Sequence, residues 1–264
     1  MLNQNDMKNI HEIISTIYCA KTITSMRRNF MKALAKLIDF DMAIFDMGKT
    51  VNSTPITTDS IIESKFNKLE ENKFLSFYET TFSSLDYIKW IFSNSESMVY
   101  RTSDLINDAY RKKSSFYLDF LQQFNLDYAS GIVIINNSRF LATLTLFKVG
   151  SKGDFSDMDI LILKQFLPHL QSRFVNEDNL LHEQNKNGSF ILKNQYKLTN
   201  REIEIMGCIY RGCKNDEIAE MLSIAPTTVK KHITNLYSKL EITSRSELMR
   251  FILNNNLSSL CEYL

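Results

Sequence analysis

At 264 residues with 44% hydrophobic content, the chain can bury a full core and has room for two domains. Its net charge of +1 is no nucleic-acid signature by itself. No apolar run approaches the roughly 20 residues that span a bilayer, and the polar start from Met1 to Ile10 is no signal peptide, so a cytoplasmic protein without membrane attachment is expected.

From about Asp6 to Ile38 the pattern is helical, with Ile10, Ile13, Ile14 and Ile17 on one stripe and Phe30, Leu34 and Leu37 on another. Asp41 to Met47 reads as a strand, and the polar, β-branched stretch from Lys49 to Ser60 as a loop. Phe66 to Tyr78 has helical spacing; Leu85 to Phe92 is aromatic-rich; Asp104 to Phe124 is again helical. Two strands follow, Tyr128 to Ile135 and Phe140 to Phe147, with Asn136-Asn137-Ser138 as the hairpin turn. A long helix then starts at Ser156 and carries Ile160, Leu163, Phe166, Leu167 and Leu170, with Pro168 expected to kink it. Helix, strand, helical insertion, strand pair and helix predict an α+β domain with helices packed on an antiparallel sheet, over residues 1–182.

Such a sheet can enclose a small-molecule pocket. Tyr78, Asp86, Tyr87, Trp90 and Tyr128 are the candidate lining residues, because aromatics beside a polar anchor suit a mostly apolar site. The same residues also read as ordinary sheet-packing aromatics. The chain has seven glycines and no glycine-rich phosphate loop, no GxSxG and no HExxH, and its four histidines are far apart. Neither an enzyme nor a cofactor is therefore expected. Cys19, Cys208, Cys213 and Cys261 form no CxxC pair, which leaves no metal site and suits a reduced protein.

Residues 183–194, rich in Asn, Lys, Gln, Gly and Ser around Gly188-Ser189, have the composition of a linker. Beyond them, 195–264, a four-helix module is expected. Thr199-Asn200-Arg201-Glu202 has the form of a capping box. The helix it opens carries Ile203, Met206, Ile209 and Tyr210 on one stripe, and Gly212 stops it. Asn215 caps a short second helix that buries Ile218, Ala219 and Leu222. Pro226 suits the first position of a third helix running to about Leu240. Val229, Ile233, Leu236 and Leu240 face inward on it, while Thr227, Lys230, Lys231, Thr234 and Ser238 form a basic, hydroxyl-bearing, acid-free outer side. Ser244-Arg245-Ser246-Glu247 opens a fourth helix through Leu248 and Ile252. From Lys193 to Arg250 there are ten Lys/Arg against seven Asp/Glu, so the basic surplus sits in this module.

Two short helices, a tight turn and a basic third helix describe a helix-turn-helix. The segment from Leu198 to Leu248 resembles the LuxR/NarL-type helix-turn-helix of bacterial transcription regulators, through Leu198-Thr199-x-Arg201-Glu202, Gly212, Asn215-x-Glu217-Ile218-Ala219, Leu222, Thr228-Val229-Lys230-x-His232-Ile233 and the later blocks from Asn235. One departure is Ala225, where the family usually has Ser or Thr to cap the recognition helix; losing that acceptor costs about 1 kcal/mol. The resemblance and the helical phase together point Lys230, Lys231 and Thr234 at base edges. Thr227, Thr228, Ser238, Lys214, Tyr237, Lys239 and Arg245 are placed for phosphates or for fixing the module, and His232 and Asn235 for packing and hydrogen bonding.

The order of elements in the first domain resembles a GAF-like fold, with a PAS-like fold as its near neighbour. The stretch from Phe155 to Phe174, with Leu167-Pro168-His169-Leu170, is similar to the end of such domains in one-component LuxR-type regulators. Leu85-Asp86-Tyr87-x-x-Trp90 resembles the Asp- and Trp-bearing pocket of acyl-homoserine-lactone receptors, though the second tryptophan of that pocket has no counterpart. A receiver domain is disfavoured, since Asp46 stands at a strand end without an acidic pair. The resemblance implies a sequence-specific regulator of double-stranded DNA, acting as a homodimer with a small-molecule effector and with RNA polymerase as a further contact. The alternatives left open are a protein-interaction adaptor, a ligand-free scaffold and a quorum-sensing-type receptor. The amphipathic helices at the N-terminus and from Leu163 to Phe174 are either dimer surfaces or sensor core.

Overall fold

A computed structural model describes residues 4–51 and 54–263. The chain divides into two compact units, Met1–Glu177 and Asp178–Leu264. The first is an α+β domain and the second is all helical.

In the first unit, α1 (Gln4–Cys19) and α2 (Ile23–Leu34) lead into β1 (Met42–Val51) and β2 (Thr54–Ser64). Thr22 starts α2 through a capping box with Ser25. The stretch expected as a loop after Lys49 is instead this pair of strands, with Thr50 opposite Pro55 and Lys49 opposite Ile56. Its polar content reflects an edge position: β2 has only one neighbour in the sheet, whose order is β2-β1-β5-β4-β3, antiparallel throughout.

A long helical insertion separates β2 from the remaining strands. It begins with α3 (Lys68–Phe77), capped by Asn67 through the N–H groups of Leu69 and Glu70. It also contains β3 (Met98–Arg101), a strand that the sequence pattern did not disclose, and α4 (Thr102–Leu105) and α5 (Asp108–Arg111). The helix expected from Asp104 to Phe124 is therefore broken into short pieces: Asn107 recaps the chain at α5, and Asn125 ends the last turn in the left-handed region. β4 (Leu126–Asn136) and β5 (Arg139–Val149) form the expected hairpin. Its two turn residues, Asn137 and Ser138, have φ of +49° and +60°, which matches the twist of the flanking strands.

Strand alternation divides the packing. Ala43 and Phe45 of β1, Ile132 and Ile134 of β4 and Leu144 and Leu146 of β5 pack against the helices on one face. The helical residues there are Ile10, Ile13 and Ile17 of α1, Phe30 of α2, and Leu163, Phe166 and Leu170 of α6 (Asp157–Asn194). These apolar stripes form the core of the first unit and are not exposed faces, since all seven side chains are buried. The opposite face carries Met42, Ile44 and Phe147, covered by Phe74, Phe116 and Phe120 of the insertion.

The second unit contains the end of α6, then α7 (Asn200–Tyr210), α8 (Asn215–Met221), α9 (Pro226–Leu240), α10 (Arg245–Asn254) and α11 (Ser258–Tyr263). Residues 183–194, expected as a linker, are helical. Leu192 is fully buried in the core of this unit. Gly188 is there for space: a Cβ would stand 2.8 Å from Leu257 Cδ2. α7 is buried on nearly every side, with Ile203, Ile205, Met206, Cys208 and Ile209 all inside. Among the described residues, no helix is long and apolar enough to cross a membrane.

Candidate functional site

α7, α8 and α9 build the outward helix-turn-helix. Thr199 caps α7 by accepting from the Glu202 N–H, and the Glu202 carboxylate accepts in return from the Thr199 N–H at 2.7 Å. Gly212, at φ +92°, closes α7, and the Cys213 N–H returns to Cys208 O at 3.1 Å. The cap of α8 is not Asn215 as expected but Lys214, whose backbone N–H donates to Glu217 Oε2 at 2.6 Å. Lysine has no side-chain acceptor, so Glu217 supplies the bond from inside the helix.

Between α8 and α9, Ser223 takes a left-handed conformation, and the Ile224 N–H reaches Ala219 O at 3.0 Å. Arg201 braces this turn by donating to Leu222 O at 2.6 Å. α9 then starts at Pro226 with Ala225 as a cap that makes no side-chain hydrogen bond. Its inward residues Val229, Leu236 and Leu240 are buried, while Ile233 is half-buried.

The outer side of α9 presents Thr227, Lys230, Lys231, Thr234 and Ser238, all exposed. Helix α9 contains no acidic residue, and among the described residues neither Lys230 nor Lys231 takes part in an ion pair. Their ammonium groups therefore remain available for an anionic partner. Thr234 Oγ1 donates to Lys230 O at 3.0 Å, a local bond within the helix. Lys214 is exposed, whereas Thr228, His232 and Tyr237 are half-buried, with burial pushing the Tyr237 phenol up.

Two of the expected contact residues are turned to work inside the domain. Lys239 Nζ sits 2.7 Å from Oε2 of Glu202 and 2.9 Å from Lys197 O, tying α9 to the start of α7. Glu202 is buried; against the opposing effect of that burial, the Lys239 ammonium and the Thr199 donors hold its carboxyl below the usual range. Arg245 donates to Ile209 O at 2.8 Å and Cys213 O at 3.1 Å, satisfying the end of α7. Of the two roles expected for Lys239 and Arg245, contacting phosphates or fixing the module, these bonds favour the second, through partners more than 30 residues away that local pattern could not show.

A second candidate site lies between the sheet and the insertion of the first unit. A cavity of about 60 Å³ is lined by Ile44, Asp46 and Ser60 from β1 and β2, by Tyr78, Asp86 and Tyr87, by Tyr100, and by Phe116, Phe120 and Thr145 among others. Tyr78 donates to Asp86 Oδ2 at 3.0 Å, and the Ile88 N–H donates to Asp86 Oδ1 at 3.1 Å. Tyr100 and Thr145 hydroxyls are 3.1 Å apart. Burial raises the carboxyl of Asp86 and pushes the Tyr87 phenol up to about 12. Burial also pushes the Asp46 carboxyl up to about 7.

Of the five residues expected here, Tyr78, Asp86 and Tyr87 line the cavity. Trp90 and Tyr128 do not, which corrects the expectation. Trp90 lies on a short 3-10 helix, Lys89–Ser93, and is 52% exposed. Tyr128 alternates with Ala129 on β4; Ala129 faces the cavity, so Tyr128 packs with the helices on the other face. Asp46, Ser60, Tyr100 and Thr145 went unread. The signal available for Asp46 was a single carboxylate within the apolar run from Met42 to Met47.

Residues 196–252 match the family described as bacterial regulatory proteins, luxR family. The second unit carries a LuxR-family helix-turn-helix domain. The chain is 37% identical over 111 residues to the HTH-type transcriptional regulator MalT of Vibrio cholerae, an alignment covering 40% of this chain and 12% of MalT. It thus spans a small part of the length of the curated relatives it matches. Among solved structures it is similar to Escherichia coli SdiA, at 13% identity and a TM-score of 0.46, over 96% of this chain and 98% of SdiA. The GAF domain of a Bacillus halodurans two-component sensor histidine kinase is another likeness, at 16% identity and a TM-score of 0.37, over 61% of this chain and 99% of that domain.

Proposed function

We propose that this chain is a sequence-specific transcription regulator that binds double-stranded DNA as a homodimer and answers to a small molecule in its N-terminal domain. The observation that carries the DNA reading is the outer side of α9. It offers Lys230 and Lys231, both exposed and outside any ion pair among the described residues, with hydroxyls beside them and no acid on the helix. A helix of this kind fits the major groove, where lysine donates to guanine O6 and N7, while Thr227 and Lys214 stand nearer the phosphates. The cavity between sheet and insertion supports the sensor reading, since it places polar groups among aromatic walls.

Two helix-turn-helix modules in a dimer read half-sites about one helical turn apart. Genome-wide capture of DNA by the full chain is therefore expected to return a two-fold symmetric site. The same experiment with Lys230→Glu and Lys231→Glu together is expected to return none, with the circular dichroism spectrum and oligomeric state unchanged. Capture that survives the double change would remove α9 from the groove.

A further inference from the structure

The cavity of the N-terminal domain has an unbalanced charge. Asp46 enters it from β1, and Asp86 and Glu79 from the insertion; no Lys, Arg or His lines it among the described residues. Asp46 stands out. It is only 8% exposed, and its Oδ1 has no hydrogen-bond partner among the described residues, while the Ser60 hydroxyl serves its carboxyl from β2. A bare carboxyl oxygen in a buried site is costly unless another group completes it.

The strand geometry holds it in that position. Phe45 pairs with Ile61 and Met47 with Thr58, so Asp59 and Ser60 together oppose Asp46 in a bulge. Asp59 takes φ +46°, and the buried Arg27 pins it by donating to Asp59 O at 2.6 Å and Phe45 O at 3.0 Å and by pairing with the Asp59 carboxylate. Arg27 spends its guanidinium hydrogen bonds on Asp59 and the backbone and makes none to Asp46, although its charge reaches the Asp46 carboxyl and works against the effect of burial there. Arg111, whose charge reaches the Tyr87 hydroxyl, does not line the cavity; its Nε is paired with Asp108 at 2.9 Å, while its Nη2 has no hydrogen-bond partner among the described residues.

What would complete Asp46 is a donor carried in by a ligand. A neutral N–H would meet the hydrogen bond alone. Glu79 adds negative potential, and the aromatic rings of Tyr78 and Phe116 in the lining favour a cation further. We propose that the cavity binds a compact organic cation, a protonated amine on an apolar body, with its ammonium on Asp46. This rests on the reading of the N-terminal domain as a small-molecule sensor and names the ligand class. Because burial brings the Asp46 carboxyl to about 7 in the unliganded cavity, a cation that needs it ionised binds about tenfold more tightly at pH 8 than at pH 6.

Calorimetric titration of the full chain at pH 8 with 2-phenylethylamine, its neutral isostere 2-phenylethanol, 3-phenylpropanoate and N-octanoyl-homoserine lactone tests this. The amine is expected to bind about tenfold or more tightly than the alcohol, and the anion not at all. Asp46→Asn should close that gap and leave the alcohol's affinity in place. Glu79→Gln, at an exposed position, should weaken the amine about two- to threefold with the fold unchanged. An alcohol or lactone that binds as tightly as the amine, or a gap that survives Asp46→Asn, overturns the cation inference and leaves the sensor reading standing. Absence of saturable binding by all four probes removes both.

Discussion

Replacing Lys239 with methionine separates two roles that the sequence assigns to it equally well. The ammonium lies 2.7 Å and 3.0 Å from the two carboxylate oxygens of Glu202. The side chain of Glu202 is 3% exposed and that of Lys239 32%. Removing one partner of a fully buried pair costs about 3–5 kcal/mol, whereas an exposed pair contributes about 1 kcal/mol or less. Glu202 would keep the Thr199 N–H at 2.7 Å and the Thr199 hydroxyl at 3.0 Å. The loss therefore falls between the limits, at about 2 kcal/mol. Hydrogen exchange followed by mass spectrometry on the full chain should show α7 and α9 amides exchanging about 30-fold faster in the variant. Glu202 titrates below its ordinary 4.5, so this stabilisation is fully present above that pH and is lost as pH falls through the folded value. The difference between wild type and variant should accordingly shrink as pH is lowered below 4.5. At low temperature, where both are folded, DNA affinity should fall far less than for Lys230→Glu. Equal exchange rates, or a difference that stays undiminished until the protein unfolds in acid, would refute this account of Lys239.

Ala225→Ser gives α9 the side-chain acceptor it lacks, and is expected to slow exchange of the first α9 amides by about 1 kcal/mol of local stability. Gly131→Ala puts a Cβ 1.9 Å from Leu144 O, where backbone must move, so denaturant unfolding of the first unit should show a loss of about 3 kcal/mol. Asp46→Asn should stabilise the unliganded protein at pH 8 and not at pH 4. A carboxyl raised from 3.8 to about 7 penalises folding progressively as pH climbs through that window, by a few kcal/mol at most, and thermal unfolding at the two pH values reads it. Changing Lys230 or Lys231 singly to Ala should cost about 1–3 kcal/mol of affinity and relax the base preference at one position of the site, whereas Lys214→Ala should reduce the salt dependence of DNA binding by about one counterion.

The helix-turn-helix was legible because its signals are local. Capping boxes, Gly212 after α7, Pro226 at the start of α9 and the inward stripe of Val229, Leu236 and Leu240 all act within a few residues along one helix. The hairpin at Asn137-Ser138 was legible for the same reason. Composition misread residues 183–194, because Gly188 and Leu192 take their meaning from Leu257 and the core of the second unit, far along the chain. The polar strand β2 resembled a loop, because an edge strand needs little apolar sequence.

Sequence by itself thus determined a LuxR-type module with a basic outer helix, and an α+β domain before it. Tertiary structure alone decided which polar groups remain available. It turned Lys239 and Arg245 inward while leaving Lys230 and Lys231 in solvent. It set Tyr128 behind the sheet and brought Asp46 to the cavity with one oxygen bare. The physical reason is that hydrogen-bond satisfaction and strand facing depend on partners brought together by folding, whereas periodicity and caps depend only on neighbours in the chain.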